Sequence, residues 1–164
     1  GSTPVMYHPF VGQPSVHTRA KANFFNLSTA TTYAEIAYAL AEGVTFIHKH
    51  HYSELMNAGI TPKLVRLTGG IARSDEWAQL FADSLNLPVD CVDCDEVGAL
   101  GVAMSAGIGA GLYRDWDDAI EKCVRLRPRF FPNAENARIL QERYEEWELL
   151  IRVMTPYWDY KLGQ

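Results

Sequence analysis

The middle of the chain holds two strand-like segments joined by a glycine turn and a helix, and this arrangement constrains the fold most. Residues 63–68 have the composition of a β-strand and lead into Gly69 and Gly70. Ser74 is a favourable helix N-cap, and a second strand is predicted at residues 88–92. A strand, a helix and a strand in this order predict a βαβ unit with parallel strands, and therefore an α/β fold.

Long amphipathic helices are predicted on both sides of this unit. Thr32 and Glu35 form a capping box at the start of the first helix, and Gly59 is suited to end it. Gly43 allows another backbone to approach closely. Helical spacing on one face of this helix is kept by Ile36, Leu40, Val44, Ile47, His51 and Leu55. The last helix is predicted to be capped by Asn133, with an apolar face formed by Ile139, Leu140, Tyr144, Trp147, Leu150, Ile151 and Met154.

The remaining segments are shorter or less regular. Residues 96–111 predict a helix rich in small residues, which suits close packing on a sheet or another helix. A short helical region is expected at residues 116–123 and an extended one at 128–132. Residues 1–28 are expected to be irregular and extended, with a short strand at residues 5–7.

Composition limits the function classes. The 164 residues, 48% hydrophobic and 21% charged, fit a single globular domain spanning 1–164. The formal net charge of −5 disfavours nucleic acid as a partner, and no stretch of about 18 apolar residues predicts a membrane span. No signal peptide is expected at the first residues, and Gly1-Ser2 fits either a cloning scar or native sequence. Three cysteines without a secretory signal favour the cytoplasm.

The glycine turn is the candidate ligand site. Glycine lacks a Cβ, so a ligand can lie against its backbone, and α/β sheets bind ligands beyond the carboxyl ends of their strands. Asp75 and Glu76 would repel a transferred phosphate, so the pattern favours an adenosine, a ribose or an inner phosphate. The turn is not a dinucleotide or phosphate-loop motif, and tight strand–helix packing needs the same glycines. The local pattern therefore leaves both interpretations open.

Several sequence segments in a fixed order give further evidence on the fold and the ligand. The central one runs Arg66-Leu-Thr-Gly-Gly-Ile-Ala-Arg-Ser-Asp-Glu-Trp77. The others are residues 7–12, 39–46, 81–83, 87–89, 96–103 and 106–113. Together they resemble the C-terminal domain of the FGGY family of carbohydrate kinases, over nearly the whole chain from about Tyr7 onward.

The resemblance implies an actin-like, ribonuclease-H-like fold in which two related domains flank a cleft. It implies that ATP, with Mg²⁺ in the full-length enzyme, is the cofactor and that a sugar or polyol is the substrate. Gly69 and Gly70 would lie against the nucleotide, and Ser74 would lie near the adenosine. No catalytic residue and no metal ligand is expected in this chain, because the catalytic Asp belongs to the other domain.

Departures from the family pattern refine these expectations. The segment between Gly12 and Arg19 lacks the Glu-Arg-Thr/Ser-Pro-like stretch of D-xylulose kinases, so the chain resembles L-xylulose or polyol kinases more closely. The expected substrate is a pentulose such as xylulose or L-xylulose. Family kinases are about three times as long, and the first strands of this domain would precede Gly1. Phosphoryl transfer needs both sides of a cleft, so we expect the chain alone to be inactive, to bind ATP weakly and to form a homodimer through uncovered surface.

Other patterns have plainer explanations. Cys91 and Cys94 form a C-x-x-C pair, but it falls in a predicted strand and lacks a second ligand pair, so buried thiols are expected. His48 and His51 share a helix face, and Glu54 is the one acidic residue expected nearby, which favours solvated or packing histidines over a metal site. Two alternatives to a kinase domain remain: a non-catalytic actin-like nucleotide-binding or regulatory module, and a Rossmann-type domain with Asp93 or Asp95 on a ribose.

Overall fold

The computed structural model describes residues 3–11 and 16–162 and divides the chain into two compact units. The first comprises Gly1–Thr61 with Ala134–Gln164, and the second comprises Pro62–Asn133. The assignment of 1–164 to one domain stays a prediction. Gly1, Ser2, Gly12 and Pro14, which entered the sequence argument, lie outside the described residues. None of the described helices is long and apolar enough to cross a bilayer.

The first unit combines a two-stranded hairpin with two long helices. Its elements are β1 (Met6–His8), β2 (Asn23–Phe25), α1 (Tyr33–Asn57) and α5 (Ala134–Leu162). β1 and β2 are antiparallel, with Met6 opposite Phe25. The strand predicted at residues 5–7 is confirmed, shifted by one residue to Met6–His8. The strand β2 was not predicted and lies in a segment that was expected to be irregular and extended.

The cap and the glycine of α1 are confirmed. The Thr32 hydroxyl accepts the Glu35 N–H at 3.3 Å, and the Glu35 carboxylate accepts the Thr32 N–H at 2.8 Å. A Cβ on Gly43 would lie 2.2 Å from the Tyr7 carbonyl oxygen, so α1 meets β1 backbone to backbone. Beyond the helix, Gly59 has a φ of 81°, which glycine adopts without strain.

The apolar face predicted for α1 is only partly covered: Ile36, Val44 and Ile47 are half-buried, and the other three residues are exposed. Leu40 and Leu55 are 39% and 43% exposed. The residues that α1 buries are instead Ala39, Glu42, Gly43, Thr45, Phe46 and Lys49. The helix turns its glycine towards β1, and the buried Glu42 is neutralised by Arg143 of α5 at 2.5 Å. Hydrophobic spacing cannot reveal a face whose burial depends on a close backbone contact and a distant ion pair.

The core of the first unit forms around Trp147, which is fully buried. Its indole N–H donates to the Tyr7 carbonyl at 3.1 Å, and the His8 Nε2 lies 3.1 Å from the Trp147 carbonyl. Phe10 and Phe46 meet the indole edge-on. Leu140, Tyr144 and Trp147, all predicted to face inward on the last helix, are buried, so the prediction is confirmed for these residues.

We expect His8 to make the stability of the first unit fall as the pH drops below 6.5. Burial lowers the pKa of His8 to about 4, although its hydrogen bond to the Trp147 carbonyl opposes the shift. Between about pH 6.5 and pH 4, His8 is protonated in the unfolded chain but neutral in the folded chain, so acid favours unfolding. The free energy of unfolding should fall by about 2 kcal/mol from this residue alone at pH 5.

Urea unfolding of the wild type and of His8→Phe, each at pH 7.5 and pH 5, measures this effect. Phe retains the ring but cannot be protonated, so the variant should lose about 2 kcal/mol less stability between the two pH values than the wild type. An identical pH dependence in both proteins would contradict the assignment.

The second unit contains the predicted βαβ arrangement. Its elements are β3 (Val65–Leu67), a 3-10 helix (Gly70–Arg73), α2 (Asp75–Leu85), β4 (Val89–Cys91), α3 (Val97–Gly109) and α4 (Trp116–Cys123). β3 and β4 are parallel, with Val65 opposite Val89, which confirms the predicted pair. Antiparallel bridges join Val89 to Phe130 and Val92 to Leu126, so an extended segment flanks β4 on its other side.

The small-residue helix α3 packs against α4, as its composition indicated. Gly107 allows the segment between the two helices to pack closely on α3, since a Cβ on it would lie 2.5 Å from the ring of Tyr113. Only Met104 and Gly107 of α3 are buried, and Val102 is 71% exposed. The second unit therefore presents a largely uncharged helix surface to its surroundings.

Candidate functional site

The candidate site lies where β3 ends. Gly69 has φ 72° and ψ −154°, a conformation that is strained for any residue with a side chain. The Gly69 carbonyl accepts the Ala72 N–H at 3.1 Å, which starts the 3-10 helix Gly70–Arg73. The buried methyl of Ala72 fixes that helix in the unit. The chain thus turns sharply at Gly69 and leaves the next residue at the tip of a parallel strand.

The backbone at this tip is open. A Cβ built on Gly69 or on Gly70 would have no heavy atom within 4 Å, apart from those of its chain neighbours and of the backbone of its own helical turn. Tight packing by the rest of the chain is therefore not what requires a glycine at Gly70. The positive φ of Gly69 explains why that position is a glycine. At Gly70, no steric contact in the described residues explains the absence of a side chain.

Ser74 serves as the predicted N-cap of α2. Its hydroxyl accepts the Trp77 N–H at 3.2 Å and donates to the Glu76 carboxylate at 2.9 Å. The pKa of Glu76 is lowered by a hydrogen bond from its own backbone N–H and by the Ser74 hydroxyl. The structure therefore places Ser74 beside the glycine turn, with its hydroxyl already engaged by α2.

Arg127 supports the turn from the extended segment beyond β4. Its guanidinium donates to the Ala72 carbonyl at 2.5 Å and pairs with Asp75. Sequence reasoning missed this residue, because 55 residues separate it from Ala72. The alternation of Arg125, Arg127 and Arg129, of which only Arg129 lies within the extended segment predicted at residues 128–132, was the available signal, since alternate residues share one side of a strand.

Arg129, from the same extended segment, forms an ion pair with a residue of β4. It binds both carboxylate oxygens of the buried Asp90, at 2.6 and 2.9 Å, while Arg66 of β3 lies 3.6 Å from the same carboxylate. The Arg129 hydrogen bonds keep the pKa of Asp90 below its usual value. An ionised Asp90 thus links β3, β4 and the extended segment beneath the candidate site.

The charges around the turn are mixed. Arg73 pairs with Asp95 at 3.1 Å, and both side chains are mostly exposed, at 60% and 79%. Such an exposed pair contributes little to stability, so Arg73 can exchange Asp95 for an anionic ligand at small cost. Asp75 and Glu76 occupy the first turn of α2, where they complement the helix dipole.

The cysteines and histidines of the motif-like pairs join no larger cluster of metal-binding side chains among the described residues. Cys91, Cys94 and Cys123 are free thiols; Cys91 is buried in β4, and the other two are half-buried. The rings of His48 and His51 lie 6.3 Å apart, and burial lowers the pKa of His48. In the part of the chain that the structure describes, no three His, Cys, Asp or Glu side chains are grouped to hold a metal ion.

Comparisons with known proteins agree with this architecture. Residues 2–110 match the sequence profile described as the FGGY family of carbohydrate kinases, C-terminal domain. The L-xylulose/3-keto-L-gulonate kinase of Escherichia coli strain K12 is 25% identical, covering 93% of this chain and 31% of that protein. The erythritol kinase of Brucella abortus strain 2308 is 29% identical, covering 94% of this chain and 31% of that protein.

A solved structure shows the same fold. The crystal structure of xylulose kinase from Rhodospirillum rubrum matches with a TM-score of 0.79 and 28% identity, over 94% of this chain and 31% of that one. The fold is therefore that of the C-terminal domain of actin-like ATPases, a class that includes sugar kinases. The chain belongs to the FGGY family of carbohydrate kinases and corresponds to its C-terminal domain. It spans less than a third of the length of these relatives.

Proposed function

We propose that this chain is the nucleotide-binding part of an ATP-dependent kinase that phosphorylates a hydroxyl of a sugar or polyol. Gly69 and Gly70 contact the nucleotide through their backbone, and Ser74 lies near the adenosine. The main support is the open backbone at Gly70, at the carboxyl end of a parallel strand. Asp75 and Glu76 favour the adenosine, ribose or inner phosphate over the transferred phosphate at this position.

The substrate of the whole enzyme is proposed to be a pentulose, such as xylulose or L-xylulose. The Escherichia coli relative, an L-xylulose/3-keto-L-gulonate kinase, and the Rhodospirillum rubrum xylulose kinase support this class. Mg²⁺ would accompany ATP, and the sugar and the catalytic base would be held by the other domain, in the cytoplasm. Because half a cleft cannot position both reactants, the chain alone is proposed to be inactive, and sugar phosphorylation by the purified chain would refute this.

Substitution of Gly70 by valine is expected to weaken ATP binding by about tenfold or more, because the new side chain occupies the space proposed for the nucleotide. The fold should survive, since a Cβ at Gly70 meets no atom within 4 Å. Titration of the chain with ATP, followed by NMR shifts of the backbone amides at residues 68–74, measures both the affinity and the location of the contact.

Gly98→Val is the matched control. A Cβ at Gly98 also meets open space, but this residue lies at the start of α3 rather than at the turn. ATP affinity should equal that of the wild type in this variant. Equal ATP affinities of Gly70→Val and Gly98→Val would show that the glycine turn is not part of the nucleotide site.

The chain is also proposed to form a homodimer through its second unit. Val102 of α3 and Leu112 are 71% and 72% exposed, and β3 has β4 as its one strand partner among the described residues. Uncovered apolar surface and a strand edge both favour self-association.

Light scattering after gel filtration should give a dimer mass for the wild type and a shift towards monomer for Val102→Lys. Val153→Lys is the control, because Val153 is 63% exposed on α5 of the first unit. A monomer mass for the wild type at high concentration would refute the dimer.

A further inference from the structure

We propose that Arg73 binds an inner phosphate of the nucleotide and that Asp95 competes with the nucleotide for Arg73. In the absence of nucleotide the carboxylate of Asp95 holds the guanidinium, and the phosphate takes the place of that carboxylate on binding. The inference rests on the proposed function, because it concerns the same nucleotide site. It goes further by assigning a phosphate contact to one residue and an opposing, affinity-lowering role to another, both in the second unit.

Arg73 lies on the same face of the 3-10 helix as Gly70. These residues are the last and the first of that four-residue helix. A 3-10 helix has three residues per turn, so side chains three positions apart lie one above the other, separated by about 6 Å. The Arg73 side chain therefore starts on the face that Gly70 leaves open, and it is long enough to reach a ligand that lies against the Gly70 backbone.

Asp95 reaches the same edge of the sheet from the neighbouring strand. Leu67 at the end of β3 and Cys91 at the end of β4 are opposite each other in the parallel pair. The glycine turn therefore follows one strand, and the segment with Asp95 follows the other, at a common edge. The Nε of Arg73 lies 3.1 Å from the Asp95 carboxylate. The ion pair thus joins the two segments at the edge where α/β sheets bind ligands.

This ion pair is built for exchange, unlike the pair of Arg129 with Asp90 in the same unit. Both side chains of the Arg73–Asp95 pair are mostly exposed, so water compensates each charge when the pair separates. Asp90, by contrast, is buried and accepts two hydrogen bonds from Arg129. A phosphate offers the guanidinium charge-assisted, bidentate hydrogen bonds, so it can replace the Asp95 carboxylate at Arg73.

The acidic residues at the start of α2 are engaged by other groups. Asp75 pairs with Arg127, and the Glu76 carboxylate accepts the Ser74 hydroxyl at 2.9 Å. The carboxylate in contact with Arg73 is that of Asp95. Removal of the Asp95 charge therefore tests the competition without disturbing the contacts of α2.

Titration of the 164-residue chain and its variants with ATP, AMP and adenosine, followed by NMR shifts of the amides at residues 68–74, is the test. Asp95→Asn should bind ATP and AMP about threefold more tightly, because no exposed ion pair has to be broken. Arg73→Gln should bind both about tenfold more weakly, through loss of a charge-assisted hydrogen bond. Adenosine has no phosphate and should bind equally to the wild type and to both variants.

The double variant separates competition for Arg73 from simple repulsion of the phosphate. If Asp95 acts by holding Arg73, the gain in ATP affinity from Asp95→Asn should disappear when Arg73→Gln is also present. A gain of the same size in both backgrounds would show that Asp95 only repels the phosphate, and the competition would be overturned.

Glu142→Gln and Arg138→Gln are the matched controls, since they remove the same charges from an exposed ion pair of the first unit. Both should bind ATP as the wild type does. The four substituted side chains are exposed, and unchanged amide shifts elsewhere in the chain will verify that each variant is folded.

The outcomes distinguish this inference from the proposed function. If ATP shifts the amides at residues 68–74 but binds the wild type, Asp95→Asn and Arg73→Gln equally, the roles of Arg73 and Asp95 are overturned and the nucleotide site stands. If ATP shifts none of these amides, both proposals fail. Equal effects on adenosine and ATP would overturn the phosphate contact, and an effect on ATP without one on AMP would overturn its assignment to an inner phosphate.

Discussion

Gly43→Ala is expected to destabilise the first unit by about 3 kcal/mol, the upper part of the range for overpacking in a core. The added methyl would lie 2.2 Å from the Tyr7 carbonyl oxygen and 3.1 Å from its carbon. Both are backbone atoms, so no side-chain rotation can relieve the overlap. Either α1 moves away from β1 or the hairpin is displaced, and both movements open the packing around Trp147, whose indole donates to the same Tyr7 carbonyl.

Gly98→Ala provides the comparison, measured by urea unfolding of both variants and the wild type. Both glycines lie in helices, but a Cβ at Gly98 meets no atom within 4 Å. Alanine is the better helix former by about 1 kcal/mol, so Gly98→Ala should be neutral or slightly stabilising. A similar small change in Gly43→Ala would show that the backbone contact between α1 and β1 is looser than the structure indicates.

Local signals in the sequence predicted a large part of the fold. The caps at Thr32 and Ser74 depend on residues three positions apart, and both form as predicted. The parallel pair followed from the strand–turn–helix–strand order, which is also a local property. The positions of Gly69 and Gly70 at the end of β3 were predictable for the same reason.

The contacts that the sequence did not predict join residues that are far apart in the chain. Glu42 and Arg143 are 101 residues apart, and Asp90 and Arg129 are 39 apart. A charged residue in a helix is normally expected to face solvent, and the sequence does not show where its partner will be. The apolar face predicted for α1 fails at Leu40 and Leu55, which are exposed, whereas Glu42 and Lys49 are buried. The contact of Arg127 with the glycine turn was also not predicted, because Arg127 and Ala72 are 55 residues apart in the chain.

Arg143→Met is expected to destabilise the first unit by about 4 kcal/mol near neutral pH. Arg143 donates to both carboxylate oxygens of Glu42 at 2.5 Å, and to the carbonyls of Thr3 and Val5 at 2.6 and 3.1 Å. The Glu42 side chain is 2% exposed. Loss of the guanidinium would therefore leave a buried carboxylate and two carbonyls without their donor, and the free energy of unfolding from urea titration reports the cost.

Arg138→Met is the control for this change on the same helix. Arg138 pairs with Glu142 at 2.5 Å, but both side chains are about two-thirds exposed, at 66% and 65%. An exposed pair of this kind contributes under about 1 kcal/mol, so the same substitution should have a small effect. Comparable losses in the two variants would show that burial of Glu42 is not the cause.

The pH dependence distinguishes an unpaired buried charge from a simple loss of packing. Burial raises the pKa of Glu42 even with Arg143 present, and removal of the guanidinium raises it further. A carboxyl with a raised folded pKa holds its proton more tightly when folded, so its contribution to stability is lost as the pH rises through that pKa. The cost of Arg143→Met should therefore be smaller at pH 5 than at pH 8. Adding Glu42→Leu should recover much of the loss at pH 8, because the double variant has no buried charge, whereas a pH-independent cost without recovery would refute the mechanism.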